Sequence, residues 1–220
     1  MSEDLIKNIY DTLFNLEASG AKGTAYPIHK KLVFDNEEIK DIYEWLNKNI
    51  DIPPGSNILD AGCGVGYGTC LIANNSKVNV TGISLSQKEI DLAKLYAHNK
   101  KLNHKTNFEC KSFDNIEPNT YDIIIAVESL KHSLNLENTL TVLSNALTPD
   151  GQIIIVEDFY TEDKLSLDAS KYINDWGLID AFRLNDYYKI LKMSDSKITD
   201  LTTYMSSKNS FLLTIKIFVL

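Results

Sequence analysis

The residues whose types and spacing best suit chemistry lie in one short stretch, Asn57 to Thr69. An apolar run in this stretch ends on the carboxylate of Asp60, and four glycines then alternate with other residues before a helical pattern begins. Glycine has no side chain to keep a ligand away, and it reaches backbone angles that are closed to other residues. The stretch therefore predicts a strand, a loop of bare backbone and a helix N-terminus, which together can hold a flat or extended ligand.

The spacing of these glycines differs from that of a dinucleotide-binding loop. A Gly-x-Gly-x-x-Gly pattern would need glycine at Tyr67, Thr69 or Leu71, and all three are other residues. The NAD fingerprint is therefore excluded. A plain tight turn between a strand and a helix is the alternative interpretation of the loop.

A second group of reactive side chains follows the apolar run Tyr121–Val127, where Glu128 and His132 stand within five residues of each other. Histidine titrates near neutral pH, so His132 suits a general base that removes a proton from a hydroxyl or ammonium group. The alternative is that His132 is a structural residue. Tyr26 and His29, in a loop rich in small residues, are candidate partners for such a base.

The hydrophobic pattern predicts the elements that must position these residues. From Asn57 to Val156, apolar runs of strand length alternate with helical patterns, which indicates right-handed crossovers and a doubly wound parallel sheet. The last two runs, Lys197–Tyr204 and Phe211–Leu220, are separated by a short turn that permits only an antiparallel hairpin. The predicted fold is α/β, with a mostly parallel seven-stranded sheet that ends in this hairpin.

The N-terminal part of the chain shows helical rather than alternating periodicity. Helices are predicted over Asp4–Leu16 and Asp35–Ile50, the second capped by Asp35 with Glu38 in the capping-box position. We expect residues 1–52 to form a helical cap that contributes to acceptor binding, and residues 53–220 to form one compact domain.

Composition narrows the class of protein. The 220 residues are 44% apolar and 24% charged, as in an ordinary globular chain, and the net charge is −8. The sequence has no dense Lys/Arg cluster of the kind that would predict a nucleic-acid surface. Three cysteines without metal-ligand spacing predict reduced thiols, no metal and a cytoplasmic location. No apolar run is long enough for a membrane span, and we expect a monomer or homodimer.

Two motifs resemble a known family. A strand ending in Asp-x-Gly-x-Gly-x-Gly resembles motif I of the class I S-adenosylmethionine (SAM) dependent methyltransferases. The run Gly82-Ile83-Ser84-Leu85-Ser86 is similar to the Gly-Ile-Thr-Leu-Ser form of the branch that contains cyclopropane fatty acid synthases and tocopherol and sterol methyltransferases. The resemblance covers roughly residues 55–158. It implies SAM as the cofactor and a small molecule as the methyl acceptor.

The resemblance also implies which residues would contact the cofactor. The loop glycines would lie against the methionine and ribose parts, and Asp60 would orient the loop or accept a hydrogen bond from the amino group. Adenine would lie near Ser112–Asp114, where Phe113 could cover the ring. The cofactor-binding set implied in this way comprises Asp60, Gly62, Cys63, Gly64, Gly66, Ser84, Leu85, Glu89, Ser112, Phe113, Asp114 and Val127.

The ribose contact departs from the usual family pattern. Most relatives end the second strand on Asp or Glu, whereas this chain has Ser84 there. In the resembling branch a glutamine on the next helix helps to hold the ribose, and Glu89 stands at that position. We expect Ser84 and Glu89 to share the ribose, although capping of its own helix is an equally open role for Glu89.

The acceptor side follows the same resemblance. Related phosphoethanolamine methyltransferases have a His-type base at the position of His132, completed by a tyrosine from the N-terminal segment. The catalytic residues implied here are His132, Glu128, Tyr26 and His29. The expected reaction is transfer of the methyl group of SAM to an O or N atom of a small molecule. The alternatives are C-methylation of a lipid or isoprenoid-type acceptor, a SAM-binding enzyme that does not methylate, such as a cyclase, and a regulatory protein on the same fold.

Overall fold

The computed structural model describes residues 3–4, 7–8, 11, 32–34, 37–39, 41–75, 77–160, 189, 199–204 and 213–219. Within this part of the chain, the elements with defined bounds are β1 (Leu32–Phe34), β2 (Glu37–Ile39), α1 (Ile42–Asn49), β3 (Asn57–Ala61), α2 (Tyr67–Asn75), β4 (Asn79–Ser84), α3 (Gln87–Asn99), β5 (Thr106–Cys110), β6 (Tyr121–Val127), a 3₁₀ turn (Leu130–His132), α4 (Leu136–Ala146), β7 (Leu147–Tyr160), β8 (Thr199–Tyr204) and β9 (Leu213–Val219).

The strands of these residues form one sheet in the order β2-β1-β8-β9-β7-β6-β3-β4-β5. The five strands at one end of this order, from β7 to β5, are parallel to one another. The prediction of an α/β fold with a parallel, doubly wound sheet is therefore confirmed. β9 lies antiparallel between β7 and β8, and β1 pairs with both β8 and β2.

The predicted number of strands differs from the structure, which has nine strands among the described residues instead of seven. The two further strands are β1 and β2, which are only three residues long and fall within the predicted helical cap. The last two strands are antiparallel. The turn that would make them a hairpin falls on residues 205–212, outside the described residues, so the hairpin stays a prediction.

Helices cover both faces of the parallel sheet because successive strand side chains point to opposite faces. On β3, Ile58 belongs to the core cluster beneath α1 and α2, while the next residue, Leu59, belongs to the cluster beneath α4. The isoleucines of β6 divide in the same way, since Ile123 and Ile125 face the first cluster and Ile124 faces the second. None of the helices within the described ranges is long and apolar enough to cross a bilayer.

One predicted helix begins later than expected. The chain is extended at Glu37–Ile39, and α1 starts at Ile42 after the N-cap residue Asp41. The Asp41 carboxylate accepts hydrogen bonds from the backbone N–H groups of Tyr43, at 2.9 Å, and Glu44, at 3.1 Å. The prediction of a start at Asp35 was wrong, because the chain is still extended at Glu37–Ile39 and Asp41 provides the N-cap. Of the predicted first helix, residues 4, 7–8 and 11 are described, and all are helical.

The topology fixes where a ligand can bind. From β3 the chain continues through β4 to β5 on one side, and β6 returns to the other side of β3 and leads to β7. β3 and β6 therefore flank the switch point of the sheet. In open α/β sheets, ligands bind beyond the carboxyl ends of the strands at such a point. Asp60 and Glu128 stand at or just after these two strand ends.

Candidate functional site

Asp60 is the buried anchor of the glycine loop. The residue has no exposed surface. Its Oδ1 accepts a hydrogen bond from the hydroxyl of Tyr43 at 3.1 Å, and its Oδ2 accepts one from Thr69 Oγ1 at 2.6 Å. Tyr43 comes from α1 and Thr69 from the first turn of α2, so the carboxylate joins the strand end to both helices. These contacts support the first of the two predicted roles, orientation of the loop.

The loop itself is fastened to the end of β4. The backbone N–H groups of Gly62 and Cys63 both donate to the carbonyl of Ile83, at 3.0 and 2.9 Å. Gly66 N–H donates to the Cys63 carbonyl at 2.9 Å and closes a tight turn before α2. Burial, followed by the nearby charge of Asp60, raises the pKa of the Cys63 thiol well above its usual value. Cys63 is therefore a neutral packing residue whose backbone shapes the loop.

The glycines of the loop serve two different purposes. A Cβ on Gly62 would lie 2.4 Å from the Cβ of Ser129, and one on Gly66 would lie 2.6 Å from the Cβ of Ala93. These two positions are closed by the protein's own packing. Gly64 also has a positive φ, of +51°, yet a Cβ built there would meet nothing within 4 Å. Gly64 therefore gives the loop an open backbone face onto which a ligand can fit.

Ser84 and Glu89 form a pair beside this loop. The Ser84 hydroxyl donates to Glu89 Oε2 at 2.5 Å and accepts from the backbone N–H of Ser86 at 3.1 Å. The Ser86 hydroxyl accepts from the backbone N–H of Glu89 at 3.3 Å and caps α3. The carboxylate of Glu89 is thus directed at the end of β4, where most relatives carry their own carboxylate. The two residues predicted to act together are in direct contact.

The residues of the predicted adenine region, 112–114, are engaged in contacts with other parts of the protein. Asp114 Oδ1 accepts from Thr139 Oγ1 at 2.7 Å, which ties it to α4. Phe113 packs against the core cluster beneath the same helix. The Ser112 hydroxyl donates to Glu3 Oε1 at 2.6 Å. Two of the three residues are therefore held by the protein, and Ser112 has a partner from the N-terminal helical segment.

That segment brings to the site two acidic residues that no sequence pattern indicated. Glu3 contacts Ser112, and Asp11 Oδ1 accepts from the Ser86 hydroxyl at 2.5 Å. Asp11 also lies 3.8 Å from the Nζ of Lys88. Helical periodicity predicts the segment, but nothing in its pattern reveals which of its side chains face β4 and β5.

Glu128, directly after β6, begins the turn 128–132 that is predicted to face the methyl acceptor, the predicted acceptor side. Its φ is +50°, a conformation that residues with a Cβ seldom adopt. The backbone N–H of Glu128 donates to the Val156 carbonyl at 2.7 Å, and the Ser129 hydroxyl donates to the Ala61 carbonyl at 2.6 Å. These bonds hold the chain in a sharp turn against both neighbouring strands. Strained conformations of this kind concentrate at functional sites.

His132 ends the 3₁₀ turn that follows. It is 9% exposed, and its backbone N–H donates to the Ser129 carbonyl at 3.1 Å. Burial, with a smaller effect of the positive charge of Lys131, lowers the pKa of the imidazole to about 3. The ring is therefore neutral at physiological pH. It can accept a hydrogen bond there, but its basicity is below the optimum for a general base.

Of the remaining predicted residues, two lie at the carboxyl ends of strands and two lie outside the described ranges. Leu85 follows the end of β4, and its carbonyl accepts from the Cys110 thiol at 3.4 Å. Val127 is the last residue of β6, and its side chain packs in the core beneath α1 and α2. Tyr26 and His29 lie outside the described residues. Within the described ranges, no cluster of three or more His, Cys, Asp or Glu side chains suits a metal ion.

The fold and site define an open α/β domain with a ligand loop at its switch point. Residues 52–203 match the family model described as a methyltransferase domain, which covers more than half of the chain. This chain therefore belongs to the methyltransferase domain family. The resemblance drawn from the glycine loop is confirmed.

Two curated relatives represent the sequence similarity. A 24-methylenesterol C-methyltransferase from Arabidopsis thaliana is 29% identical over 180 residues, which are 78% of this chain and 49% of that protein. A phosphoethanolamine N-methyltransferase from Triticum aestivum is 27% identical over 143 residues, 65% of this chain and 28% of that protein. The chain spans about half or less of the length of these relatives.

Solved structures share the fold at lower identity. A geranyl diphosphate C-methyltransferase from Streptomyces coelicolor A3(2) superposes with a TM-score of 0.78 at 12% identity, covering 99% of this chain and 96% of that one. The cyclase SpnF superposes with a TM-score of 0.76 at 19% identity, covering 91% and 76%. At these identities the likeness concerns the fold alone.

Proposed function

We propose that this domain binds SAM at the open face of Gly64 and transfers its methyl group to a small molecule. The observation that carries the proposal is the contrast within the loop, where Gly62 and Gly66 are closed by packing and Gly64 is open. A side chain at Gly64 would fill the approach to bare backbone that a ligand requires. Membership of the methyltransferase domain family supports SAM as that ligand.

The chain's own residues suit the different parts of SAM. Backbone at Gly64 can lie against the methionine part, and the Glu89 carboxylate, aligned by the Ser84 hydroxyl, can accept from ribose hydroxyls. Asp60 is already engaged by two hydroxyl groups, so its part is to hold the loop in place. When bound, SAM supplies a methyl group that its sulfonium has already activated. The protein then contributes mainly positioning and exclusion of water.

For the acceptor atom, we propose oxygen or nitrogen. His132 is buried and neutral, so its imidazole can accept a hydrogen bond from an acceptor O–H or N–H and direct the lone pair towards the methyl group. The nearby Glu128 carboxylate can take part in the same hydrogen bonding or favour a positively charged amine. Phosphoethanolamine is a reasonable first probe, since a relative is named for its N-methylation.

C-methylation is the second candidate, and a specific observation favours it. The Arabidopsis relative that aligns over 78% of this chain is named as a sterol C-methyltransferase. Methyl transfer to an alkene creates a positive charge on the acceptor, which a partly buried carboxylate such as that of Glu128 would stabilise. In this case the neutral His132 would be a polar wall of the pocket rather than a hydrogen-bond partner of the acceptor.

Calorimetry with SAM and S-adenosylhomocysteine (SAH) tests the cofactor first. We expect binding of both, and no binding of either would overturn the enzyme proposal. Radiolabelled methyl transfer is then measured with phosphoethanolamine, a 24-methylenesterol and geranyl diphosphate as probes. Product from the first supports N-methylation, and product from either of the others supports C-methylation. A probe consumed without label incorporation would instead indicate a non-methylating reaction such as a cyclisation.

A further inference from the structure

A buried lysine stands at the centre of the acceptor side. Lys131 is 9% exposed, although lysine is normally a surface residue. Its Nζ lies 3.4 Å from Glu128 Oε2 and 3.7 Å from Glu157 Oε1. One ammonium group therefore lies between two carboxylates, one directly after β6 and one in the neighbouring parallel strand β7.

Glu157 holds this lysine in two ways. Its side chain has no exposed surface, and its Oε2 accepts from the backbone N–H of Lys131 at 3.2 Å while its Oε1 pairs with the ammonium. Taking a carboxylate out of water is costly unless hydrogen bonds and an opposite charge offset the cost. The pairing therefore binds the 3₁₀ turn firmly to β7. Opposite Glu157 in the sheet register, β9 carries Lys216.

We propose that Lys131 is a positioning residue of the acceptor side: anchored by Glu157, it sets the direction of the Glu128 carboxylate and places a fixed positive charge beside His132. The proposal rests on the proposed function, because it assigns a role to a residue that need not touch either reactant.

Two further observations support this role. Glu128 has a strained backbone with φ of +50°, as residues at functional sites often do, and its Oε2 accepts a hydrogen bond from the Lys131 ammonium at 3.4 Å, which favours one direction of the carboxylate. His132 follows Lys131 directly, and the lysine charge adds to burial in lowering the imidazole pKa. Lys131 thus pairs with one neighbour and adds to the burial that keeps the other neutral.

The first experiment needs no acceptor. Histidine-labelled protein is titrated by NMR from about pH 8 down to about pH 3, a range that reaches the His132 pKa of about 3, with the His132 signal assigned through His132→Gln. In Lys131→Met, we expect the pKa of His132 to rise by about one unit or more. Among the described residues, the carboxylates within 4 Å of the Lys131 ammonium include those of Glu128, directly after β6, and Glu157 in β7, and neither is altered. The exposed Lys48→Met in α1 is the matched control and should leave the titration unchanged.

The second experiment separates positioning from packing. Turnover is compared for Glu128→Gln, Lys131→Met and the double variant, using whichever of the three probe acceptors is methylated. If Lys131 acts through Glu128, the two losses are far from additive, and the double variant is little slower than Glu128→Gln alone. Lys131→Arg should restore much of the rate, and the SAH dissociation constant should stay within twofold throughout.

Several outcomes would overturn the proposal. The first is a His132 titration in Lys131→Met identical to that of the wild type. The second is losses of turnover that add up in the double variant. The third is a loss of SAH affinity in Lys131→Met as large as its loss of turnover. Because Lys131→Met leaves Glu157 buried without this partner, the variant can fail to fold. Lys131→Met combined with Glu157→Gln removes both charges, and a smaller rise in the His132 pKa is expected from it, because the lost carboxylate favoured the protonated imidazole. Failure of SAH to bind the wild type would refute the proposed function while leaving the titration result valid.

Discussion

The two sides of the switch point hold their carboxylates in different ways. On the cofactor side, Asp60 is held by the hydroxyls of Tyr43 and Thr69, and Glu89 by that of Ser84. On the acceptor side, the carboxylates of Glu128 and Glu157 share the ammonium of Lys131. A hydroxyl donor orients a carboxylate and leaves its negative charge in place. An ammonium group both orients the carboxylate and neutralises its charge.

This difference has a consequence for ligand binding. Hydroxyl-held carboxylates favour a ligand that carries positive charge and hydroxyl groups, as SAM does. Carboxylates that share an ammonium form a stiffer arrangement, in which removal of one member disturbs the others. We therefore expect substitutions on the cofactor side to change SAH affinity, and substitutions on the acceptor side to change turnover and the pH dependence of stability.

The largest effect is expected from Gly64→Val. The residue has φ of +51°, which a β-branched side chain adopts only at a cost of about 1–2 kcal/mol, and the new side chain would occupy the open face of the loop. We expect SAH affinity to fall by more than about 100-fold, which corresponds to about 2.7 kcal/mol. Isothermal titration calorimetry with SAH measures this change in affinity.

Gly55→Val is the matched control for this prediction. Gly55 has φ of +93°, and a Cβ at this position would likewise meet nothing within 4 Å, but the residue lies in the turn before β3 and not in the glycine loop. Its substitution should lower the melting temperature through the same backbone strain while leaving SAH affinity within twofold. Equal losses of affinity in the two variants would refute the assignment of Gly64 as the ligand face.

The cofactor side could be predicted from the sequence because its parts are close along the chain. Asp60 and the loop glycines fall within nine residues, and Ser84 and Glu89 are five residues apart. Short spacing fixes local geometry, so strand, loop and helix cap follow from residue types alone. The parallel sheet was equally predictable, since strands buried on both faces give continuous apolar runs.

On the predicted acceptor side, Glu128 and His132 could be proposed from the sequence, but the ion pairs that hold them could not. Lys131 and Glu157 are 26 residues apart and meet only because β6 and β7 pair in register, so no local pattern connects them. The N-terminal contacts of Glu3 and Asp11 span 109 and 75 residues. The strands β1 and β2 could not be predicted because three-residue strands carry too little periodicity.

The next effect concerns His132 and the stability of the fold. Its folded pKa, about 3, lies below the value of about 6.5 expected in the unfolded chain. The unfolded state therefore binds the proton first, and the stability associated with the neutral ring is lost as the pH falls from about 6.5 towards 3. Between neutral pH and pH 5, the free energy of unfolding should fall by about 2 kcal/mol more in the wild type than in His132→Gln.

Urea denaturation of both proteins at about pH 7.5 and pH 5 measures this difference, because other acid-sensitive groups cancel in the comparison. If the two proteins lose stability equally, the imidazole is not desolvated as the acceptor side requires. The contrast between the two sides would then rest on the ion pairs of Lys131 alone.

A smaller effect is expected from Glu89→Gln. The substitution keeps the helix cap, since the Ser86 hydroxyl accepts from the backbone N–H of residue 89. It removes the charge that the Ser84 hydroxyl aligns. SAH affinity should fall about tenfold, or about 1.4 kcal/mol, with the melting temperature unchanged. The matched control is Glu44→Gln in the first turn of α1, which should alter neither quantity by much.

The opposite result would change the interpretation of the ribose contact. A lower melting temperature with unchanged SAH affinity would make Glu89 a structural residue of α3. Ser84→Ala sharpens the comparison because it leaves the carboxylate but removes its hydroxyl donor. We expect its affinity to lie between those of wild type and Glu89→Gln.

The smallest effect is expected from Asp11, whose carboxylate joins the N-terminal helical segment to the start of α3. Asp11→Asn can still accept from the Ser86 hydroxyl but loses its charge beside Lys88, whose side chain is about half exposed. Exposed ion pairs contribute little, so SAH affinity should fall by about threefold or less. The loss should vanish at about 1 M salt, where exposed charges are screened.

Asp11→Ala completes this test because it also removes the hydrogen bond to Ser86, and part of its effect should therefore persist at high salt. Asp91→Asn is the matched control, since Asp91 lies on α3 and accepts from Gln87 Nε2 at 2.8 Å on an exposed part of that helix. If Asp91→Asn lowers SAH affinity as much as Asp11→Asn does, the effect reflects the overall charge of the protein. A loss confined to Asp11 would instead extend the cofactor side to the N-terminal segment, and would add to it a carboxylate held by both a hydroxyl and an ammonium.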